Sequence, residues 1–235
     1  MASEHAVRAI HPVRAVIFDM DGLLLDTEDI YTEVTQQIAS RFDKTFDWAV
    51  KQNTIGRGAR ELAEYVVTAL ALPMTADDFL LEREPLLRAR FANAPSKPGA
   101  ASLVRHLSEH NVPIAIGTSS SRAYFDIKTR QHLDWFELFD TVVTADDTEV
   151  REAKPAPDIF LVAAGRLGVP PADILVFEDS PFGVTAALAA GMQVIAVPDP
   201  AMPHDRYRHA QGLLASLDQF MPEQWGLPQR LATGT

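Results

Sequence analysis

Asp19 and Asp21 follow the apolar run Ala15-Val16-Ile17-Phe18 and are followed by Gly22. Side chains at i and i+2 of an extended segment project to the same side, so the spacing places both carboxylates together at the mouth of a buried strand. Like charges held that close repel. They persist if a cation sits between them, or if one stays protonated and does acid chemistry. A strand that closes in a solvated acidic turn has the same spelling, and the pair alone does not separate a catalytic site from a turn. Two further apolar runs end in groups suited to phosphate or metal: Thr118 closes Pro113-Ile114-Ala115-Ile116-Gly117, and Glu178-Asp179 closes Ile174-Leu175-Val176-Phe177. A lysine, Lys154, stands in Lys154-Pro155-Ala156-Pro157-Asp158. In an open parallel sheet ligands bind beyond the carboxyl ends of the strands, so these groups are expected to converge.

The elements that must position them are legible as strands alternating with helical patterns. Strands are predicted over Ala15 to Asp19, Pro113 to Thr118, Thr141 to Thr144, Ile174 to Phe177, Gln193 to Val197 and Leu213 to Ser216. Helical periodicity links Ala100, Leu103, Val104 and Leu107, and again Ile159, Phe160, Ala163 and Leu167. Continuous rather than alternating apolar strands imply a parallel sheet covered on both faces, an α/β fold. The apolar stretch Val184 to Val197, broken by Gly191 and Gln193, reads as a buried helix, a turn and a strand.

The interval from Glu28 to Pro95 has no strand signal. It shows helical stripes at Ile30, Val34, Ile38 and Phe42, then at Leu62, Tyr65, Val66, Ala69 and Leu70, then from Phe79 to Phe91. Pro85 is expected to kink or split the last of these. Structureless loops of that length are uncommon in compact domains, so the interval reads as an inserted helical bundle. It is joined by two thin, polar or Pro-rich linkers that form a hinge.

Bulk properties narrow the field of partners. The chain has 235 residues, 47% hydrophobic and 23% charged, with a formal net charge of -11 and no cysteine. The acidic balance excludes nucleic acid and anionic membrane as expected partners. Without cysteine there is neither a disulfide nor thiol catalysis, which fits a reducing cytoplasm. Met1 to Pro12 lacks the apolar run of a signal peptide and reads as a mobile leader, and no span is long enough to cross a bilayer. The seven histidines show no metal-like spacing. A cytoplasmic monomer is the expectation.

With Thr118, Lys154 and Glu178-Asp179 in that order, the segment Asp19-Met20-Asp21-Gly22-Leu23-Leu24-Leu25-Asp26-Thr27-Glu28 resembles the haloacid dehalogenase superfamily of phosphohydrolases. The likeness runs from Val13 to about Gln229. Within it, Phe18 to Glu28, Ala187 to Val194 and Trp225-Gly226-Leu227-Pro228 look most like the pseudouridine-5'-phosphatase branch. The resemblance implies a Rossmann-like core over 13–27 and 96–235, an α-helical cap over 28–95 that closes on the active site, and a leader over 1–12. It further implies a Mg²⁺ cofactor and a small phosphorylated metabolite as substrate. Asp19 would be the nucleophile and Asp21 the general acid and base. Metal would be held by Asp19, the backbone carbonyl of Asp21 and Asp179, with Glu178 holding a metal-bound water. Gly22, Thr118, Ser119 and Lys154 would bind phosphate, helped by the start of a helix running from Arg122 to His132. Leu23 to Glu28 would couple the cap to the core. Arg57 and Arg60 in Gly56-Arg57-Gly58-Ala59-Arg60, with Glu28 and Tyr31, are the candidates for substrate specificity.

Other readings share these motifs. β-Phosphoglucomutase-like phosphotransferases carry a histidine where this chain has Tyr31, dehalogenases lack the second carboxylate that Asp21 supplies, and a non-catalytic binding protein would be expected to have lost Asp19, Asp21 or Lys154.

Overall fold

A computed structural model describes residues 11–230. Strands β1 (Ala15–Phe18), β2 (Ile114–Gly117), β3 (Thr141–Val143), β4 (Ile174–Glu178), β5 (Gln193–Ala196) and β6 (Gly212–Leu213) form one sheet in the order β3-β2-β1-β4-β5-β6. Every pairing is parallel, and Phe18 lies opposite Ile116 on one side and Phe177 on the other. β1, β2, β4 and β5 are buried at every residue. Both faces are covered, which is why the strands read as unbroken apolar runs. Successive side chains feed opposite cores: Val16, Phe18, Ile116 and Phe177 enter one, and Ala15, Ile17, Ala115 and Val176 the other.

Between β1 and β2 lie α1 (Glu28–Ser40), α2 (Trp48–Lys51), α3 (Ala59–Ala69) and α4 (Ala76–Phe91), followed by α5 (Ala100–Glu109). Later come α6 (Arg122–Thr129), α7 (Leu133–Phe136), α8 (Asp158–Leu167) and α9 (Pro181–Ala189). The inserted helices bury a core of their own around Val34, Ile38, Val66, Phe79, Leu87 and Phe91. A capping box starts α4, where the Thr75 hydroxyl accepts from the Asp78 N–H and the Asp78 carboxylate accepts from the Thr75 N–H. The two linkers pair with each other: Asp26 N–H donates to Pro95 O (2.8 Å) and Lys97 N–H to Leu24 O (2.9 Å).

Several expectations are corrected. Pro85 does not split α4, which runs from Ala76 to Phe91. It stands on the exposed side of the helix, and the carbonyl it cannot bond belongs to Leu81, a residue 78% exposed whose backbone water can satisfy. The last strand is Gly212–Leu213 rather than Leu213 to Ser216, because the Ser216 hydroxyl accepts from the Asp218 N–H and opens a turn. The helix after Ser121 stops at Thr129, not His132, and a new one begins at Leu133. Of the expected leader, residues 1–10 lie outside the described region, whereas His11 is fastened to β5: its N–H donates to Gln193 Oε1 (3.2 Å) and its carbonyl accepts from Gln193 Nε2 (2.9 Å). Among the described residues no helix is long and apolar enough to cross a membrane.

Candidate active site

β1 and β4 run side by side to their ends, where Asp19 N–H still donates to Phe177 O (3.0 Å). That register sets Asp19 beside Glu178 and Asp179. The three are 5%, 0% and 6% exposed, and each offers an oxygen within 4.8 Å of the others'. Lys154 enters from the loop before α8 and donates to Asp19 Oδ1 (2.6 Å), Glu178 Oε1 (2.6 Å) and Gly117 O (3.0 Å). The other Glu178 oxygen accepts from the N–H (2.9 Å) and hydroxyl (3.0 Å) of Ser180, the N-cap of α9. Glu178 is therefore engaged on both oxygens, and its work is to hold Lys154 and the start of α9. A Cβ on Gly183 would collide with its carboxylate, so only glycine lets α9 approach this closely.

Asp179 is different. Its carboxylate receives no hydrogen bond or ion pair among the described residues. Burial pushes its pKa well above the ordinary value, and the neighbouring Glu178, Asp19 and Glu28 push further. Asp19 is pushed up to about 7 by burial; Lys154 pulls against this, and Glu178 and Asp21 add to it. Buried carboxylates that crowd together with one left unpartnered fit a hard divalent cation with oxygen ligands. Gly22, at φ +80°, completes the cradle: a Cβ there would collide with Asp179 Oδ2.

Asp21 faces away from this cluster into a set of donors. Its Oδ1 accepts from Thr27 Oγ1 (2.7 Å) and Lys128 Nζ (2.6 Å), and its Oδ2 from Ser120 Oγ (2.7 Å). Burial raises its pKa, but the Lys128 ammonium and these hydrogen bonds outweigh burial and hold Asp21 below the ordinary carboxylate value. Lys128 is fully buried and also donates to Tyr31 Oη (3.0 Å) and Ser120 Oγ (2.8 Å). The motif reading missed it. The available signal is a lysine on the core-facing stripe of α6, beside Phe125 and Thr129.

Between core and insert lies a cavity of about 390 Å³ with Asp19, Asp21 and Asp179 on the core side and Glu28, Tyr31 and Arg57 on the other. Glu28 is pushed up to about 7 by burial, with Lys51 opposing and Asp21 reinforcing the shift. Arg57 donates through Nε to Asn53 O and stacks on Tyr65 (5.3 Å) and on Phe182 of α9 (5.5 Å). Ser119 lines the cavity. Thr118 is wholly buried and does not reach the wall, which Ser119, Ser120 and Ser121 form at that point; its hydroxyl accepts from the Ser120 N–H (3.1 Å). Arg60 is not part of the cavity. It pairs on the surface with Glu64 (2.9 Å) and Asp77, its side chain 59% exposed. Arg83, which the motifs did not flag, lines the cavity instead.

Comparison with known proteins agrees with this geometry. Residues 13–191 match the family model described as haloacid dehalogenase-like hydrolase. The chain is similar to (DL)-glycerol-3-phosphatase 1, mitochondrial, of Arabidopsis thaliana, 48% identical over 91% of this chain and 73% of that one. It is likewise similar to a Drosophila melanogaster protein named probable pseudouridine-5'-phosphatase, 46% identical over 95% of this chain and 98% of that one. A solved structure of a HAD family hydrolase from Deinococcus radiodurans R1, with bound phosphate and sodium, aligns with a TM-score of 0.76 at 28% identity, covering 93% of this chain and 99% of that one. The chain belongs to the haloacid dehalogenase-like hydrolase family.

Proposed function

We propose that this protein is a Mg²⁺-dependent phosphatase that hydrolyses the phosphomonoester of a small sugar, polyol or nucleoside through a phosphoryl group carried on Asp19. The observation that carries the reading is the buried corner where Asp19, bonded to Lys154, meets the unpartnered carboxylate of Asp179 at the ends of two adjacent parallel strands. Asp19, Asp179 and the backbone carbonyl of Asp21 would hold Mg²⁺, which would neutralise phosphoryl charge; Glu178, whose two oxygens are taken by Lys154 and Ser180, holds Lys154 in place rather than the metal-bound water expected of it. A carboxylate oxygen of Asp19 attacks phosphorus, the bond to the leaving oxygen breaks, and Asp21 gives that oxygen its proton. Asp21, now ionised, takes a proton from the water that attacks the Asp19-bound phosphorus, releasing phosphate and restoring Asp19. Lys154 steadies the charge of Asp19 throughout. The donors around Asp21 stabilise its ionised form, the one the second step needs, so the first step requires substrate entry to displace at least one of them.

The names of the relatives direct the substrate search to glycerol 3-phosphate and pseudouridine 5'-phosphate. A mutase is the weaker reading, since Tyr31, in place of a histidine, is a phenol whose pKa burial raises, and it is engaged by Lys128. Phosphate release from a panel of sugar, polyol and nucleoside phosphates with Mg²⁺, ranked by kcat/KM, tests the proposal. Release from at least one natural phosphomonoester, abolished by EDTA, is expected. No release from any of them would refute it.

A further inference from the structure

Phe79, Arg83, Leu87 and Phe91 make one i+4 row along α4, and all are buried. Arg83 is the misfit, a cation 3% exposed in an apolar stripe. Its Nε and Nη2 are buried and find no acceptor. The ring of Tyr31 lies 4.8 Å from its guanidinium carbon and that of Phe79 5.9 Å. Ring faces offset part of a cation's charge, but they leave its edge donors unsatisfied. A buried donor without a partner is costly, and native proteins keep few of them. Leucine or methionine would complete the row at no such cost, so the packing of α4 does not explain an arginine here.

The cavity does. Arg83 forms part of its wall. On the insert side Arg57 is engaged by Asn53 and two rings, Tyr31 by Lys128, and Glu84 by Tyr124 and Arg88, while Glu28 brings a carboxylate, which accepts rather than donates when ionised. Nε–H and one N–H of Nη2 point along a single edge of the guanidinium, the edge that takes two oxygens side by side. Both atoms are sealed from solvent, so meeting a ligand requires the side chain to swing toward the cavity. We propose that Arg83 recognises the leaving group of the substrate through paired oxygen acceptors, and that this leaving group is uncharged. The inference rests on the phosphatase reading and narrows its substrates to those whose leaving group carries no charge.

Charge decides for a neutral leaving group. The carboxylates of Asp19, Asp21, Glu28, Glu84, Asp146 and Asp179 line the cavity with the cations of Arg57, Arg83 and Lys154, and Lys128 and Arg88 pair with Asp21 and Glu84 from outside the lining, so a formal excess of one negative charge remains. A divalent ion and a phosphoryl dianion together add no net charge, so a second anion on the leaving group would enter a space with an acidic excess.

The test compares wild type, Arg83→Met and Arg83→Lys with Mg²⁺ on three kinds of substrate. Glycerol 3-phosphate, ribose 5-phosphate and pseudouridine 5'-phosphate have neutral, oxygen-rich leaving groups. The leaving group of 3-phosphoglycerate carries a carboxylate, and that of phenyl phosphate has no distal acceptor. Thermal unfolding of each protein is measured without substrate. The wild type should prefer a neutral oxygen-rich substrate. Its kcat/KM relative to phenyl phosphate should fall at least about tenfold in Arg83→Met, and by a similar factor in Arg83→Lys, which keeps the charge and loses the paired edge. The melting temperature of Arg83→Met should hold or rise, because an apolar side chain completes the row. An unchanged ratio, or a lowered melting temperature with equal loss on every substrate, would make Arg83 structural and overturn the inference. A wild-type preference for 3-phosphoglycerate would overturn the neutral leaving group. No turnover by the wild type on any substrate removes the phosphatase reading and the inference together, whereas turnover with an unchanged ratio removes the inference alone.

Discussion

The carboxylates of this site are told apart by what touches them. Glu178 is consumed by Lys154 and Ser180, Asp21 is held ionised by Lys128, Thr27 and Ser120, and the Asp179 carboxylate has no hydrogen-bond or ion-pair partner among the described residues. Removing Asp179 should therefore act on the metal before anything else: Asp179→Ala should raise the Mg²⁺ concentration for half-maximal activity about tenfold or more, read from a metal titration of the rate. The raised pKa of Asp19, about 7, has a consequence for stability. A carboxyl whose folded value lies above its unfolded one contributes stability that is full below the unfolded value and lost as pH rises through the folded one. The metal-free protein should thus lose stability from acid pH to about pH 8. Because Mg²⁺ must displace that proton at low pH, the rise in melting temperature it causes should be larger at pH 8 than at pH 5.5. Equal shifts at both values would contradict this charge assignment. The Asp, Thr and Glu-Asp positions were legible because each closes or follows an apolar run, whereas Lys154 was legible only through its place in the order of motifs. Lys128 and Arg83 were not, since each is a cation embedded in a helical stripe whose other members are core, and only the packing shows which way the stripe faces.

At the scale of elements, the insert touches the core through particular contacts. Arg206 donates to Gln52 O (3.0 Å) and Asn53 Oδ1 (3.2 Å), and Arg57 stacks on Phe182 of α9. We expect Arg206→Ala to speed amide hydrogen exchange across residues 51–57 while leaving β1 and β4 protected; unaltered exchange there would show that the contact does not hold the loop. Arg57→Ala should lower kcat/KM for the preferred substrate more than for phenyl phosphate, whereas Arg60→Ala, outside the cavity, should leave the ranking of substrates as it is. A reordered ranking in Arg60→Ala would return that residue to the specificity loop. The sequence placed both arginines in one phrase, and the start of α3 at Ala59 separates them. The strands were read to within a residue or so except β6, whose short pairing is decided by the turn at Ser216 rather than by any apolar pattern.

For the molecule as a whole, the sheet order explains how an acidic chain of net charge -11 can serve an anionic substrate. β1 and β4 are central neighbours, so Asp19 and Asp179 emerge together. The loop carrying Lys154 and the serines after β2 close in from either side. Positive charge is needed only at that point, and one lysine, a bound cation and backbone amides can provide it there. Beryllium fluoride, which takes the place of a phosphoryl group on a carboxylate, should inhibit in the presence of Mg²⁺, and full activity in its presence would count against a phosphorylated Asp19. The alternation of strands and helices made the α/β core readable, and the absence of strand signal made the helical insert readable. Where the insert meets the core was hidden, because it depends on side chains from distant segments. The central claim is that Asp19 itself attacks phosphorus, and the kcat/KM of Asp19→Asn at saturating Mg²⁺ tests it most directly. A fall of about a thousandfold or more, at least ~4 kcal/mol in the barrier, with an unchanged melting transition is predicted; a value within about tenfold of wild type would contradict it.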